Sequence, residues 1–256
     1  MKILGSSLAL HPCSPRKALR ELVALKFAGM EFLCEPPWHP AAWSARERRA
    51  LRELARDKGF AISLHAPVAD VNLMSPHPAV RALAEEELYR CLELAADIGA
   101  GSVTFHLGYR PLMGAPFAPP WGEAQEAIGR LGAAGQDLGI TLCLENDPKS
   151  PHTLLWNLEL FGKLLSELGI PGTLDLGHAW IAYHEKVFEL IPSLLPLVHT
   201  VHLHDNRGDH DEHLGLGEGT LDLGRAWPLL TGVPAVVLEV KSPAGLARSL
   251  ELLRRL

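Results

Sequence analysis

Eight short β-like runs recur along the chain, at 3–8, 30–34, 61–65, 102–107, 141–145, 172–176, 200–204 and 235–240, and amphipathic helical segments separate them. A strand and a helix alternating eight times predict one closed parallel (β/α)8 barrel over residues 1–256. No serine-rich linker or low-complexity tract divides the pattern into two domains. In the helix expected over 79–98, Val80, Leu83, Leu88, Leu92 and Leu94 fall roughly along one face, and Gly99 ends it. A doubly wound open sheet is the competing architecture. It does not gather residues from six strand ends around one point, whereas a barrel does so at its C-terminal mouth.

Alternate residues of a strand point to opposite faces, so parity says which side chains share a site. In HTVHLHD, Thr200, His202 and His204 share one face while Val201 and Leu203 take the other. The same alternation sets His65 opposite Ile62 and Leu64, and His106 opposite Val103 and Phe105. It also sets Glu145 opposite Leu142 and Leu144, Asp175 opposite Leu174 and Leu176, and Glu239 opposite Leu238. Six strands thus aim metal-capable groups one way, and residues 202–219 add a further concentration of imidazole and carboxylate. Inward carboxylates in a barrel are costly unless a cation neutralises them. His11, His39, His77, His152, His184 and His199 lack this setting and are read as surface or internally satisfied histidines.

Composition narrows the classes. With 256 residues, 47% hydrophobic and 21% charged, the chain has ample apolar surface for a core. No apolar run approaches the ~20 residues that span a bilayer, and MKILGSSLAL lacks the longer apolar stretch of a signal peptide, so a first strand is expected there. Cys13, Cys34, Cys91 and Cys143 are scattered, without the paired spacing of a zinc ribbon or redox motif. Reduced thiols in a cytoplasmic protein are expected. A net charge of −6 argues mildly against nucleic-acid binding, although a local basic patch is compatible with it.

The landmarks SLHAP at His65, VTFHLG at His106, LCLEND at Glu145, TLDLGHA at Asp175 and His178, the His202 loop and VVLEVK at Glu239 together resemble the xylose-isomerase-like TIM barrels. That superfamily includes sugar isomerases, sugar epimerases and the endonuclease IV group of AP endonucleases. The resemblance implies that Glu145, Asp175, His202 and Glu239 hold a central divalent metal. The endonuclease IV branch, with three Zn2+ ions, further implies His65 and His106 beside a shared Glu145, then His178, Asp211 and His213. His204 falls where the repair enzymes usually carry asparagine, which implies that it orients a metal ligand or touches substrate, and Glu218 is expected to orient the ligand loop.

Two reactions fit these residues. In a sugar or sugar-phosphate isomerase or epimerase, Mn2+, Mg2+, Co2+ or Zn2+ polarises the carbonyl of an open-chain sugar and stabilises an enediolate, while Glu145 and Glu239 exchange protons with carbon. In an abasic-site endonuclease, a zinc cluster activates hydroxide against a phosphodiester, a reading that abundant histidine favours. DNA binding also needs cationic mouth loops, and those after the second, third and fourth strands supply only Arg110. The cluster Arg46, Arg48, Arg49, Arg52 and Arg56 lies on an expected outer helix and reads as a solvated face. Trp38, Trp43, Phe117 and Trp121 are expected to cover a sugar, and Arg110, Lys149, Arg207 and Lys241 suffice for one phosphate or carboxylate. The isomerase is the preferred expectation; an idle metal-binding barrel is a third. Leucine-rich outer helices are compatible with a homodimer, though the same leucines also serve to cover the barrel.

Overall fold

The computed structural model describes residues 1–110 and 118–256. Its eight strands are β1 (Lys2–Ser6), β2 (Gly29–Leu33), β3 (Ala61–His65), β4 (Ser102–Phe105), β5 (Thr141–Glu145), β6 (Gly172–Asp175), β7 (Val198–Leu203) and β8 (Ala235–Leu238). All neighbours pair in parallel, and β1 pairs with both β2 and β8, so the sheet closes in sequence order. This is the TIM barrel that the alternation predicts, with strand ends differing from expectation by one or two residues. Among the described residues no helix is long and apolar enough to cross a membrane.

Two faces of each strand give the barrel two layers. Met30, Phe32, Leu64, Val103, Phe105, Leu144, Leu174, Val201 and Val236 are fully buried in the hydrophobic layer beneath the helices. The opposite parity fills the barrel interior with polar groups that satisfy each other. The Thr104 and Thr173 hydroxyls lie 2.8 Å apart, and Ser63 Oγ donates to Glu31 Oε2 at 2.9 Å.

Local signals explain the helix boundaries. The helix Ala45–Lys58 begins on a capping box between Ser44 and Glu47 and ends on Gly59 at φ 60°. The helix Pro78–Ile98 ends on Gly99 at φ 77°, as expected, but the expected apolar face is corrected at Leu83, which is 50% exposed. The buried stripe runs through Ala84, Leu88, Cys91, Leu92, Ala95 and Ile98. Leu83 sits one residue, about 100° of helix rotation, off that stripe.

Candidate metal centre

Strand closure brings the C-terminal ends of five strands to one point. His65 ends β3, Glu145 ends β5, Asp175 ends β6, His202 lies in β7 and Glu239 follows β8. Asp175 and His202 are register partners across the β6–β7 ladder. Glu145 is the hub: its Oε1 lies 2.8 Å from His202 Nδ1, and its Oε2 lies 3.1 Å from both His65 Nε2 and His106 Nε2. Glu239 Oε2 approaches the same His202 Nδ1 at 3.2 Å, and Asp175 Oδ2 at 4.0 Å. One donor atom from each of Glu145, Asp175, His202 and Glu239 therefore lies within 4.8 Å of the others.

The loop after β7 returns over this point because Asp205 organises it. The buried Asp205 carboxylate accepts N–H groups from Asn206, Gly217, Gly219 and Leu221, and Asp205 pairs through its backbone with Leu214. The loop thereby carries Asp211 and His213 back to the mouth. His213 adopts φ 50°, a conformation unfavourable for a side-chain-bearing residue, and its Nδ1–H donates to the Glu239 carbonyl at 2.8 Å. His178, His204, Asp211 and His213 form a second compact group of donor atoms.

The donor set fits a divalent cation. Asp175 Oδ2, His204 Nε2 and Asp211 Oδ1 are buried without a hydrogen-bond partner, and Glu145, Asp175 and Glu239 are 0%, 0% and 6% exposed. Buried carboxylates with unmatched oxygens are expensive unless a cation or protons compensate. In the metal-free protein protons do so. Burial alone lowers an imidazole, yet the Glu145 and Asp147 carboxylates outweigh it and raise His106 to about 10. Burial likewise opposes Asp211 and Glu239 at His213, which nonetheless rises to about 9. His65, His178 and His202 are raised for the same reason. Burial pushes Glu145 up, but His202 and His106 prevail and hold it well below the usual carboxylate range. Metal must therefore displace protons: between pH 6.5 and 9, affinity is expected to rise about tenfold per pH unit for each proton released. Calorimetric titration in buffers of different ionisation enthalpy measures that release, and a pH-independent affinity contradicts it.

Above the ligands lies a cavity of 350 Å³. Its floor is His65, His106, Glu145, His178, Asp211, His213 and Glu239; Leu8, Leu33, Val68, Val71 and Tyr109 form walls, and Lys241 lies in the lining. Lys241 Nζ donates to the Asp211 carbonyl at 3.4 Å. Other expected substrate contacts are placed elsewhere. Trp38 is 2% exposed, packs edge-on to Phe32 and donates Nε1–H to the Cys13 carbonyl, and Trp43 is buried edge-on to the same Phe32. Aromatic area is recruited to the hydrophobic layer rather than the mouth. Arg207 is exposed and paired with Glu212, outside the lining. The Arg110 backbone N–H bonds the His152 carbonyl and its side chain is exposed; Phe117 lies outside the described residues. His204 is 0% exposed, so it faces other protein groups and not the cavity. Glu218 pairs with Arg248 and accepts the Gly215 N–H at 3.0 Å, which ties the turn without touching a ligand.

Sequence reasoning missed Glu31, Asn146 and Asp147. Glu31, 1% exposed in β2, sets Oε1 2.9 Å from His202 Nε2 and so leaves Nδ1 for the other carboxylates. The parity rule finds it between Met30 and Phe32, but it lies mid-strand, where strand-end reasoning does not look. Asp147 Oδ1 accepts from His106 Nδ1 at 2.9 Å, and the Asn146 carbonyl accepts from His178 Nδ1 at 2.8 Å.

A family model described as xylose isomerase-like TIM barrel matches residues 19–256. Protein MJ1311 of Methanocaldococcus jannaschii is 30% identical over 233 residues, 87% of this chain and 76% of that protein. A probable endonuclease 4 of Mycobacterium leprae is 26% identical over 195 residues, 72% of this chain and 74% of that protein. The crystal structure of a D-tagatose 3-epimerase-like protein superposes with TM-score 0.86 at 26% identity, covering 100% of this chain and 96% of the other.

Proposed function

Because the chain belongs to the xylose isomerase-like TIM barrel family, we propose that it is a divalent-metal-dependent isomerase or epimerase of a small sugar or sugar phosphate. One observation carries the reading: two buried, ionised carboxylates from different walls, Glu145 of β5 and Glu239 after β8, open onto one cavity of small-molecule size. The likeness to the D-tagatose 3-epimerase-like protein supports it.

Glu145, Asp175, His202 and Glu239 would hold the cation. When bound, it supplies positive charge that polarises the substrate carbonyl and offsets negative charge developing on its oxygen. The protein's own groups move the protons. One glutamate takes the proton from the carbon beside the carbonyl, leaving the C–H electron pair in an enediolate; the other, after taking up a proton from solvent, returns it to the opposite face or the neighbouring carbon, and the first releases its proton to solvent. Both glutamates are held below the usual carboxylate range, mainly by His202 against the opposing effect of burial, so both are ionised at neutral pH. His65, His106 and His178 line the cavity, and Leu8, Leu33, Val68 and Val71 exclude water from the carbon skeleton. Lys241 suits one anionic substituent.

A zinc-dependent phosphodiesterase acting on abasic DNA is the second reading. The probable endonuclease 4 relative and the second donor group favour it. The described mouth opposes it, since Arg207 is paired with Glu212 and Lys149 sits over the Trp156 ring at 5.2 Å, whereas a duplex needs several phosphates neutralised. Protein reconstituted with Mn2+ or Zn2+ is expected to turn over members of a panel of ketoses and ketose phosphates with uptake of solvent deuterium. Cleavage of an abasic oligonucleotide without ketose turnover overturns the proposal.

A further inference from the structure

Strands β3 to β8 each deliver an imidazole or a carboxylate to the mouth, whereas β2 ends on Leu33 and the turn after β1 presents Leu8. Leu33 stands two residues after Glu31 and is the register partner of His65, so it leaves the sheet on the inward face that elsewhere carries polar groups. Leu8 and Leu33 are half-buried and Val68 is 40% exposed; with Val71 they line the cavity over the three neighbouring strands β1 to β3. Apolar side chains turned into a wet cavity forgo the free energy of burial unless a ligand covers them.

This sector is also poor in free amide donors. Leu8 N–H bonds Ser6 Oγ at 3.2 Å, Leu33 N–H bonds Ser7 Oγ at 2.8 Å, and Val68 N–H bonds Glu35 Oε1 at 2.7 Å. The same bonds hold the wall in place. Asn72 extends them to the next loop, since its Oδ1 accepts the Tyr109 N–H at 3.2 Å and its Nδ2 donates to the Tyr109 carbonyl at 2.8 Å. Gly108, at φ 110°, permits that clamp: a Cβ there would stand 2.2 Å from Asn72 Oδ1.

The polar lining lies over other strands. Asp147, after β5, accepts from His106 Nδ1 and from the N–H groups of Leu154 and Leu155, and the Thr153 hydroxyl donates to the Pro148 carbonyl. Lys241 follows β8. Residues 111–117, outside the described ones, read PLMGAPF and carry no polar side chain. A sugar hydroxyl pressed against the β1 to β3 sector therefore exchanges water for no partner, while a methyl group there covers leucine and valine.

We propose, on the isomerase or epimerase reading, that the substrate is a terminally deoxygenated ketose. Its methyl end packs on Leu8, Leu33, Val68 and Val71, and its carbonyl end faces Glu145 and Glu239.

Matched ketohexoses test it: 6-deoxyfructose against fructose and 6-deoxytagatose against tagatose, each in D and L form, with the full-length protein reconstituted with Mn2+. In a pair that turns over, kcat/KM is expected to favour the deoxy member by about tenfold to a hundredfold, the effect of leaving one hydroxyl unpaired. Val68→Thr keeps the shape of the wall and adds a hydroxyl, and Leu33→Asn adds an amide. Each should narrow the preference by at least about threefold by raising kcat/KM for the hydroxymethyl member. Val68 is exposed, so its variant reads the wall even where Leu33→Asn fails to fold. Ketose turnover with equal or greater kcat/KM for the hydroxymethyl members overturns this inference and leaves the isomerase reading standing. A deoxy preference that Val68→Thr leaves unchanged does the same. No turnover of any ketose overturns both.

Discussion

Replacing Glu239 by glutamine is expected to slow carbon–hydrogen exchange with solvent by about 10²–10⁴, the range that a positioned acid–base group contributes. The substitution keeps size and an oxygen ligand but removes the negative charge that accepts the proton. It also leaves the Glu239 backbone untouched, so its carbonyl still accepts from His213 Nδ1 and its N–H still bonds the Leu203 carbonyl. The fold and most of the metal site should therefore survive. Deuterium incorporation into a ketose, read by mass spectrometry at saturating metal, separates this loss from weakened metal binding. Exchange at the wild-type rate would remove Glu239 from the proton path and return the choice of base to Glu145 alone.

Chelating the metal is expected to lower the melting temperature by roughly 5–15 °C. An ion present at 100–1,000 times its Kd stabilises by about 2.7–4.1 kcal/mol, and a domain of this size shifts by about 2–4 °C per kcal/mol. The origin is the cluster of Glu31, Glu145, Asp175 and Glu239, four carboxylates at 6% exposure or less, for which protonated imidazoles substitute in the metal-free protein. That substitution has a sign in pH. His106 and His213 are raised in the folded chain to about 10 and about 9, so they stabilise the metal-free protein fully below about 6.5, and this is lost as pH rises through 9 to 10. A bound cation takes over the positive charge that those protons supply to the carboxylates, so the gap between the two melting temperatures should widen from pH 6.5 to 9. Calorimetric scans with chelator and after metal is restored measure it; coincident melts would mean that the cluster is satisfied without a cation.

Much of this was legible along the chain because strand parity is a local property. The pleat turns alternate side chains apart, so Leu142 and Leu144 identify the face of Glu145 without knowledge of any other strand. The eight strands and the closed barrel follow from the repeated alternation. Leu83 shows the resolution of such reading: a one-residue error in a helical stripe moves a leucine from core to solvent. Trp38 and Arg207 show another, since an aromatic or a cation near a strand end is free to join the core or a surface ion pair.

What the sequence by itself determined is which residues face the barrel interior at the strand ends. Tertiary structure alone decided which of them meet. Glu145 reaches His65, His106 and His202 across 80, 39 and 57 positions only because ring closure and the register of parallel strands bring those ends together. His204 faces Asp211 only because four amide groups wrap the loop around the Asp205 carboxylate. Periodicity encodes direction within one element; distance between elements is set by closure, register and the path of loops, which no local pattern carries.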